Sequence, residues 1–162
     1  MSIPLRDGVA DACISIAVIH HLSTKERRIQ AVREIFRILK PLGSALLYVW
    51  AKDQKINCQP STYLSSKKEK DPQMPTNTVM STTKTECKIT LPVHANRTNF
   101  KHNDLLVPWK RQTDSNSFHR FYHVFEKGEL EMLLQEALGP ELIHIQDLYY
   151  DQGNWCVCFV KK

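Results

Sequence analysis

A chain of 162 residues with 42% apolar side chains has enough material for one buried core, and none of its apolar runs reaches the about 20 residues of a membrane-spanning helix. Five cysteines, odd in number and irregularly spaced, argue against a disulfide framework and fit reduced thiols of the cytosol or nucleus; Met1-Ser-Ile-Pro lacks the basic-then-apolar pattern of a secretory leader. Most of the formal charge of +5 sits between residues 55 and 104, so the basic character belongs to one segment.

The first element is Ala12–Ile19, almost continuously apolar and rich in isoleucine and valine. Such a run suits a strand covered on both faces, as in a parallel sheet. It ends in His20 and His21 and meets a helix start, Ser23-Thr-Lys-Glu26, which reads as a capping box with Ser23 accepting from the Glu26 amide. Ile29, Val32, Ile35, Phe36 and Leu39 then recur at helical spacing, and Pro41 and Gly43 stop the helix. Ser44–Trp50 is a second buried strand, so strand, helix and strand form a right-handed parallel crossover.

From Lys55 to Asp104 the texture changes to Ser, Thr, Asn, Pro and Lys, with Lys67, Lys68, Lys70 and Lys84 among the excess cations. Low hydrophobicity with surplus charge predicts a mobile insertion, either a plain solvated loop or a basic arm for RNA. Order is expected to return near Leu105. Leu106-Val-Pro-Trp109 offers an anchoring aromatic, and Phe118–Phe125 is dense in rings and bases. Leu130, Leu133, Leu134 and Leu138 mark a helix closed by Gly139-Pro140. Leu142–Tyr150 and Trp155–Val160 read as a hairpin about Asp151-Gln-Gly-Asn154. Cys156 and Cys158 share a strand face but lack a second ligand pair, so small packed side chains are expected there and no metal site.

Ile14-Ser-Ile-Ala-Val-Ile-His-His21, Tyr48-Val-Trp-Ala51, Leu106-Val-Pro-Trp109, His119–Phe125, Gly128-Glu-Leu130 and Gly153-Asn-Trp155 occur in this order. Together they resemble the eukaryotic tRNA wobble-uridine carboxymethyl methyltransferases. With Leu91–Thr98 added, the resemblance extends to the C-terminal methyltransferase part of the bifunctional AlkB-homologue branch of that family. It implies an α/β fold: the C-terminal half of a class I S-adenosylmethionine-dependent, Rossmann-like methyltransferase sheet, with a long disordered insertion and a closing antiparallel hairpin. The expected division is 1–54 for the strand–helix–strand part, 55–104 for the flexible basic insertion and 105–162 for the C-terminal part.

The implied reaction is methyl transfer from S-adenosylmethionine to the carboxylate of 5-carboxymethyluridine at the tRNA wobble position. The implied partners are the tRNA anticodon loop and a small zinc-containing activator subunit, with no membrane. Ala17, Val18 and His20, at the carboxyl end of the first strand, are the candidates to flank the cofactor. Either histidine could equally be a packed or helix-flanking residue. Arg120, Tyr122 and His123 are candidates to hold a carboxylate or phosphate, with His21 and Trp109 beside them; Trp109 could stack on a base or serve as core. The resemblance puts the glycine-rich cofactor loop and the ribose-holding acid upstream of this sequence, which leads to the expectation of a partial chain. It also puts Leu42 where glycine is usual. The alternative is a catalytically silent piece that retains tRNA or protein binding.

Overall fold

The computed structural model describes residues 2–65, 90–110 and 117–162, with the Lys110 side chain excluded. The cluster Lys67-Lys68-Glu69-Lys70 and Lys84, expected in the basic insertion, lies outside the described residues.

The main sheet has the order β1 (Ala10–Ile16), β2 (Leu39–Trp50), β8 (Asn154–Lys161), β7 (Ile143–Asp151). Strand β1 (Ala10–Ile16) runs parallel to β2 (Leu39–Trp50), joined by helix α1 (Lys25–Ile38) as the crossover. Strands β7 (Ile143–Asp151) and β8 (Asn154–Lys161) form the expected hairpin, and β8 pairs antiparallel with β2. Between them in sequence come two short strands, β3 (Lys55–Ile56) and β4 (Gln59–Pro60), and a four-residue helix α2 (Thr62–Ser65). Strands β5 (Asp104–Lys110) and β6 (Ser117–His123) pair in a separate two-stranded sheet, followed by helix α3 (Glu129–Leu138).

Alternation along β2 decides where the core lies. Ala45, Leu47 and Val49 are buried on one face, opposite Phe159, Val157 and Trp155 of β8. Helices α1 and α3 cover that face with Val32, Ile35, Leu130, Leu133 and Leu134. The other face of β1 carries Ile14 and Ile16, 69% and 57% exposed. The apolar run that reads as a strand covered on both sides is therefore covered on one side in these residues.

The helix start differs by one position from the expected box. Thr24 is the N-cap and accepts from the Arg27 amide at 3.3 Å; Ser23 lies outside the helix. A threonine side chain one residue nearer the helix performs the same service. The helix runs straight into β2 at Leu39, and the tight passage depends on the following turn. Leu42 has φ +64° and is 81% exposed, while a Cβ at Gly43 would lie 2.9 Å from the Lys40 carbonyl oxygen.

The two flanks of the insertion are packed. Ser61 is buried and donates to Gln54 Oε1 at 2.6 Å; Gln54 in turn donates to the Ala51 and Gly153 carbonyls at 2.7 and 2.9 Å. Phe100 is 5% exposed, stacks parallel to Tyr63 and contacts His94. These residues form a second core with Leu105, Val107, Tyr122 and Val124.

A left-handed conformation costs a residue with a Cβ about 1 kcal/mol or more, partly offset by the greater entropy glycine loses on folding. Leu42→Gly is therefore expected to raise stability by about 0.5–1 kcal/mol, a gain of roughly 1–4 °C in melting temperature. Thermal unfolding of the pair of proteins measures it; a lower melting temperature for the variant contradicts the strain assignment.

Candidate functional site

The carboxyl ends of β1 and β2 lie side by side, and the β5–β6 hairpin stands against them. At the end of β1 the chain leaves the sheet through Ala17, whose φ is +58° and whose N–H donates to the Tyr48 carbonyl at 3.2 Å. Such a conformation is unusual for a residue other than glycine and is kept only where the surroundings enforce it. Val18, 53% exposed, follows, and Ile19–His21 close a 3₁₀ turn.

His20 is 1% exposed. Its Nδ1 accepts from the Trp50 amide at 3.2 Å, so the proton of the neutral ring resides on Nε2. That Nε2 is buried without a partner among the described residues. Burial, with His21 and His123 nearby, pushes the His20 pKa down to about 3. The ring is therefore neutral and presents an N–H donor at the carboxyl end of the sheet. His21 accepts the opposite arrangement: its Nδ1 lies 3.1 Å from the Phe121 carbonyl, which only a protonated nitrogen can satisfy.

Tyr122 joins the hairpin to this turn. Its ring stacks on His20 at 5.0 Å, meets His21 edge-on at 4.4 Å and lies 4.7 Å from Trp50. Burial raises the Tyr122 pKa, and the neighbouring Arg120 guanidinium offsets part of that rise. The phenol thus stays a hydrogen-bond donor. Arg120 is exposed and sits 4.1 Å above the Trp109 ring, and Trp109 contacts Phe118 at 5.9 Å. Trp109, 37% exposed, is not a core residue.

Arg120 and Tyr122 share one face of β6 because side chains alternate along a strand. The same alternation removes His123 from the site. It points to the opposite face, is 5% exposed, and has both ring nitrogens occupied: Nδ1 by Asp104 at 2.7 Å and Nε2 by Glu129 at 2.6 Å. The expectation that His123 holds a substrate anion is corrected accordingly. Two carboxylates already bracket the imidazole, and together they tie β5, β6 and α3. No group of described residues is arranged to hold a metal ion.

The site so built combines a sheet's carboxyl edge, a neutral imidazole donor, a phenol and an exposed arginine on an aromatic platform. Comparison with known proteins shows what the chain as a whole is similar to. A model of a methyltransferase domain matches residues 1–47. The chain is 42% identical over 180 residues to the tRNA (carboxymethyluridine(34)-5-O)-methyltransferase alkbh8 of Xenopus tropicalis, covering 99% of this chain and 28% of that protein. With the mouse protein of that name the identity is 38%, over 99% of this chain and 32% of the relative. The Schizosaccharomyces pombe tRNA (carboxymethyluridine(34)-5-O)-methyltransferase is 32% identical, over 100% of this chain and 61% of its own length. The chain is homologous to the tRNA carboxymethyluridine methyltransferases.

The chain spans less than a third of the length of the two vertebrate relatives. Its fold is that of the class I S-adenosylmethionine-dependent methyltransferases. A solved methyltransferase of this kind from Methanosarcina mazei superposes with a TM-score of 0.55 at 15% identity, covering 99% of this chain and 63% of that one. The CcbJ methyltransferase from Streptomyces caelestis gives 0.54 at 7% identity, over 99% and 64%.

Sequence reasoning missed the carboxylate bracket around His123 and the polar lock of Gln54 and Ser61. The first carried a usable signal, since the strict alternation of a strand cannot put Tyr122 and His123 on one face. The second carried none, because nothing local marks Gln54 as buried.

The buried imidazoles make stability sensitive to acid. His94, against the Tyr63 hydroxyl at 3.0 Å, is pushed down to about 4 by burial, and His20 to about 3, both from 6.5. In the unfolded chain both bind protons near pH 6.5, so unfolding takes up protons below that pH and stability falls as the pH drops from about 6.5 towards 4. In His94→Gln, which cannot titrate, the loss on acidification over this window is expected to shrink by on the order of 2 kcal/mol. Urea unfolding at pH 7 and pH 4.5 checks it; an identical pH dependence in both proteins contradicts the assignment.

Proposed function

We propose that this chain is the substrate-side part of an enzyme that methylates the carboxylate of 5-carboxymethyluridine in tRNA, with S-adenosylmethionine as methyl donor. The observation that carries the reading is the convergence of Tyr122, Arg120 and the His20 Nε2–H beside the carboxyl ends of β1 and β2. Open α/β sheets bind their ligands at that edge. The relatives named for this reaction support the choice of substrate.

A carboxylate is ionised at neutral pH, so its oxygen is already a nucleophile and no strong general base is needed. Alignment and exclusion of water are the remaining tasks. Arg120, with five donors in a planar fork, grips the carboxylate or an adjacent phosphate. Tyr122, held protonated by burial, donates to the second oxygen. The cofactor's sulfonium supplies an activated methyl group when bound. Ala17 and Val18 would border its methionine part, and the His20 donor, unpartnered among the described residues, is the observation that fits a polar ligand there. Trp109 and Phe118 extend the surface as rings on which unpaired bases stack. The sequence resemblance is the support for adding a small zinc-containing activator subunit to this reading.

Full-length protein should convert tRNA bearing 5-carboxymethyluridine to its methyl ester, read by mass spectrometry of digested tRNA. tRNA binding without ester would favour the silent binding role. In that enzyme, Arg120→Lys keeps the charge and loses the fork. The expected cost is roughly 1.5–3 kcal/mol, about ten- to a hundredfold in methylation rate or tRNA affinity, with melting temperature and cofactor affinity unchanged. Unchanged methylation kinetics would remove Arg120 from the site.

A further inference from the structure

A cavity of about 260 Å³ opens at the carboxyl end of β2, lined in part by Trp50, Tyr63, Gln152, Gly153 and Asn154. It is smaller than the roughly 300–1,000 Å³ of pockets that take drug-sized ligands, so it suits a single ring system and not a whole cofactor. Among the described residues, none of its lining side chains is charged. With no counter-charge there, that lining favours a neutral polar heterocycle over a phosphate or carboxylate.

The walls divide the work. Trp50 and Tyr63 offer ring surfaces, 5.2 Å apart and tilted by 50°. Asn154, opposite Trp50 in the β2–β8 ladder, gives one amide hydrogen to the Asp151 carbonyl at 3.1 Å. That bond fixes which way the amide faces. The primary amide of Asn154, with that of Gln152 at the rim, matches the alternating donors and acceptors on the edge of a pyrimidine. The frame is rigid. Gln54 spans the Ala51 and Gly153 carbonyls, and a Cβ on Gly153, whose φ is +93°, would fall 2.5 Å from Gln54 Oε1. The backbone must therefore approach this closely for the cavity to keep its shape.

Resting on the function proposed above, we infer that this cavity receives the uracil ring of the nucleotide to be methylated. Trp50 is shared: its ring lies 4.7 Å from that of Tyr122, so the wall of the cavity adjoins the carboxylate-orienting residues. A ring held against Trp50 has its short carboxymethyl arm beside Tyr122 and Arg120. Two subsites follow, one for the base and one for its charged substituent.

The test is a binding cycle with full-length protein. The probes are an anticodon stem-loop carrying 5-carboxymethyluridine and the same stem-loop abasic at that position. Removing the base should weaken binding to the unmodified protein roughly tenfold or more, the scale of one stacked base. In Asn154→Leu the penalty for the abasic probe should be largely lost, with KM for the stem-loop raised more than kcat is lowered. Gln152→Met, at an exposed rim position, repeats the measurement if Asn154→Leu fails to fold, and should reduce the penalty in the same direction. An abasic penalty that is undiminished in a folded variant overturns the subsite. The outcome is independent of the reaction: absence of methyl ester with a base-dependent affinity leaves the cavity as a base-binding site and defeats only the proposed activity.

Discussion

Tyr122 is the contact on which the architecture of the site depends. Its ring is wedged among His20, His21 and Trp50 and is the point where the β5–β6 hairpin meets the carboxyl edge of the main sheet. The His21-to-Phe121 hydrogen bond fixes the height of that contact, and the paired carboxylates on His123 fix it from the other side of the strand. With β6 held on both faces, the exposed Arg120 extends over the Trp109 ring. Burial, with His21 and His123 nearby, also keeps the His20 imidazole neutral, and the Trp50 amide donating to Nδ1 leaves the proton on Nε2. Packing around one tyrosine and the hydrogen bonds of the histidines beside it thus set the polarity of this edge.

Much of the main sheet was legible from residue pattern. The β-branched run before His20, the helical spacing from Ile29 and the turn about Gly153 correspond to β1, α1 and the β7–β8 hairpin, although β1 ends at Ile16 and Leu39 already belongs to β2. The helix cap slipped by one residue because Ser23 and Thr24 are chemically equivalent caps, and only the backbone angles choose between them. The site was legible in part. Arg120, Tyr122 and the two histidines do come together, whereas His123 does not, and alternation along a strand already contained that answer.

The flanks of the insertion show why composition fails there. The segment from Lys55 on was expected to stay in water, yet Ser61 is buried because it donates to Gln54, just before that segment, and Gln54 in turn donates to two backbone carbonyls. A satisfied polar network costs little to bury, and a few rings such as Tyr63 and Phe100 are enough to seat the rest. Mean hydropathy cannot report such pairing, which depends on residues a hundred positions apart, as with Gln54 and Gly153. The result brings chain from residues 51–65 and 90–104 to the same edge as the β5–β6 hairpin, so that different segments of the sequence build that edge.

If the proposed function holds, RNA meets this chain on the face of the β5–β6 hairpin bearing Trp109, Arg120 and Tyr122, together with the Ile19–His21 turn. Hydrogen–deuterium exchange on the full-length protein, with and without an anticodon stem-loop carrying 5-carboxymethyluridine, tests it most directly. The expected result is slowed exchange in peptides covering residues 104–110, 117–123 and 17–22, with the α1 and α3 amides unchanged. Protection confined to the helical face, with the hairpin peptides unaffected at saturating RNA, would contradict it.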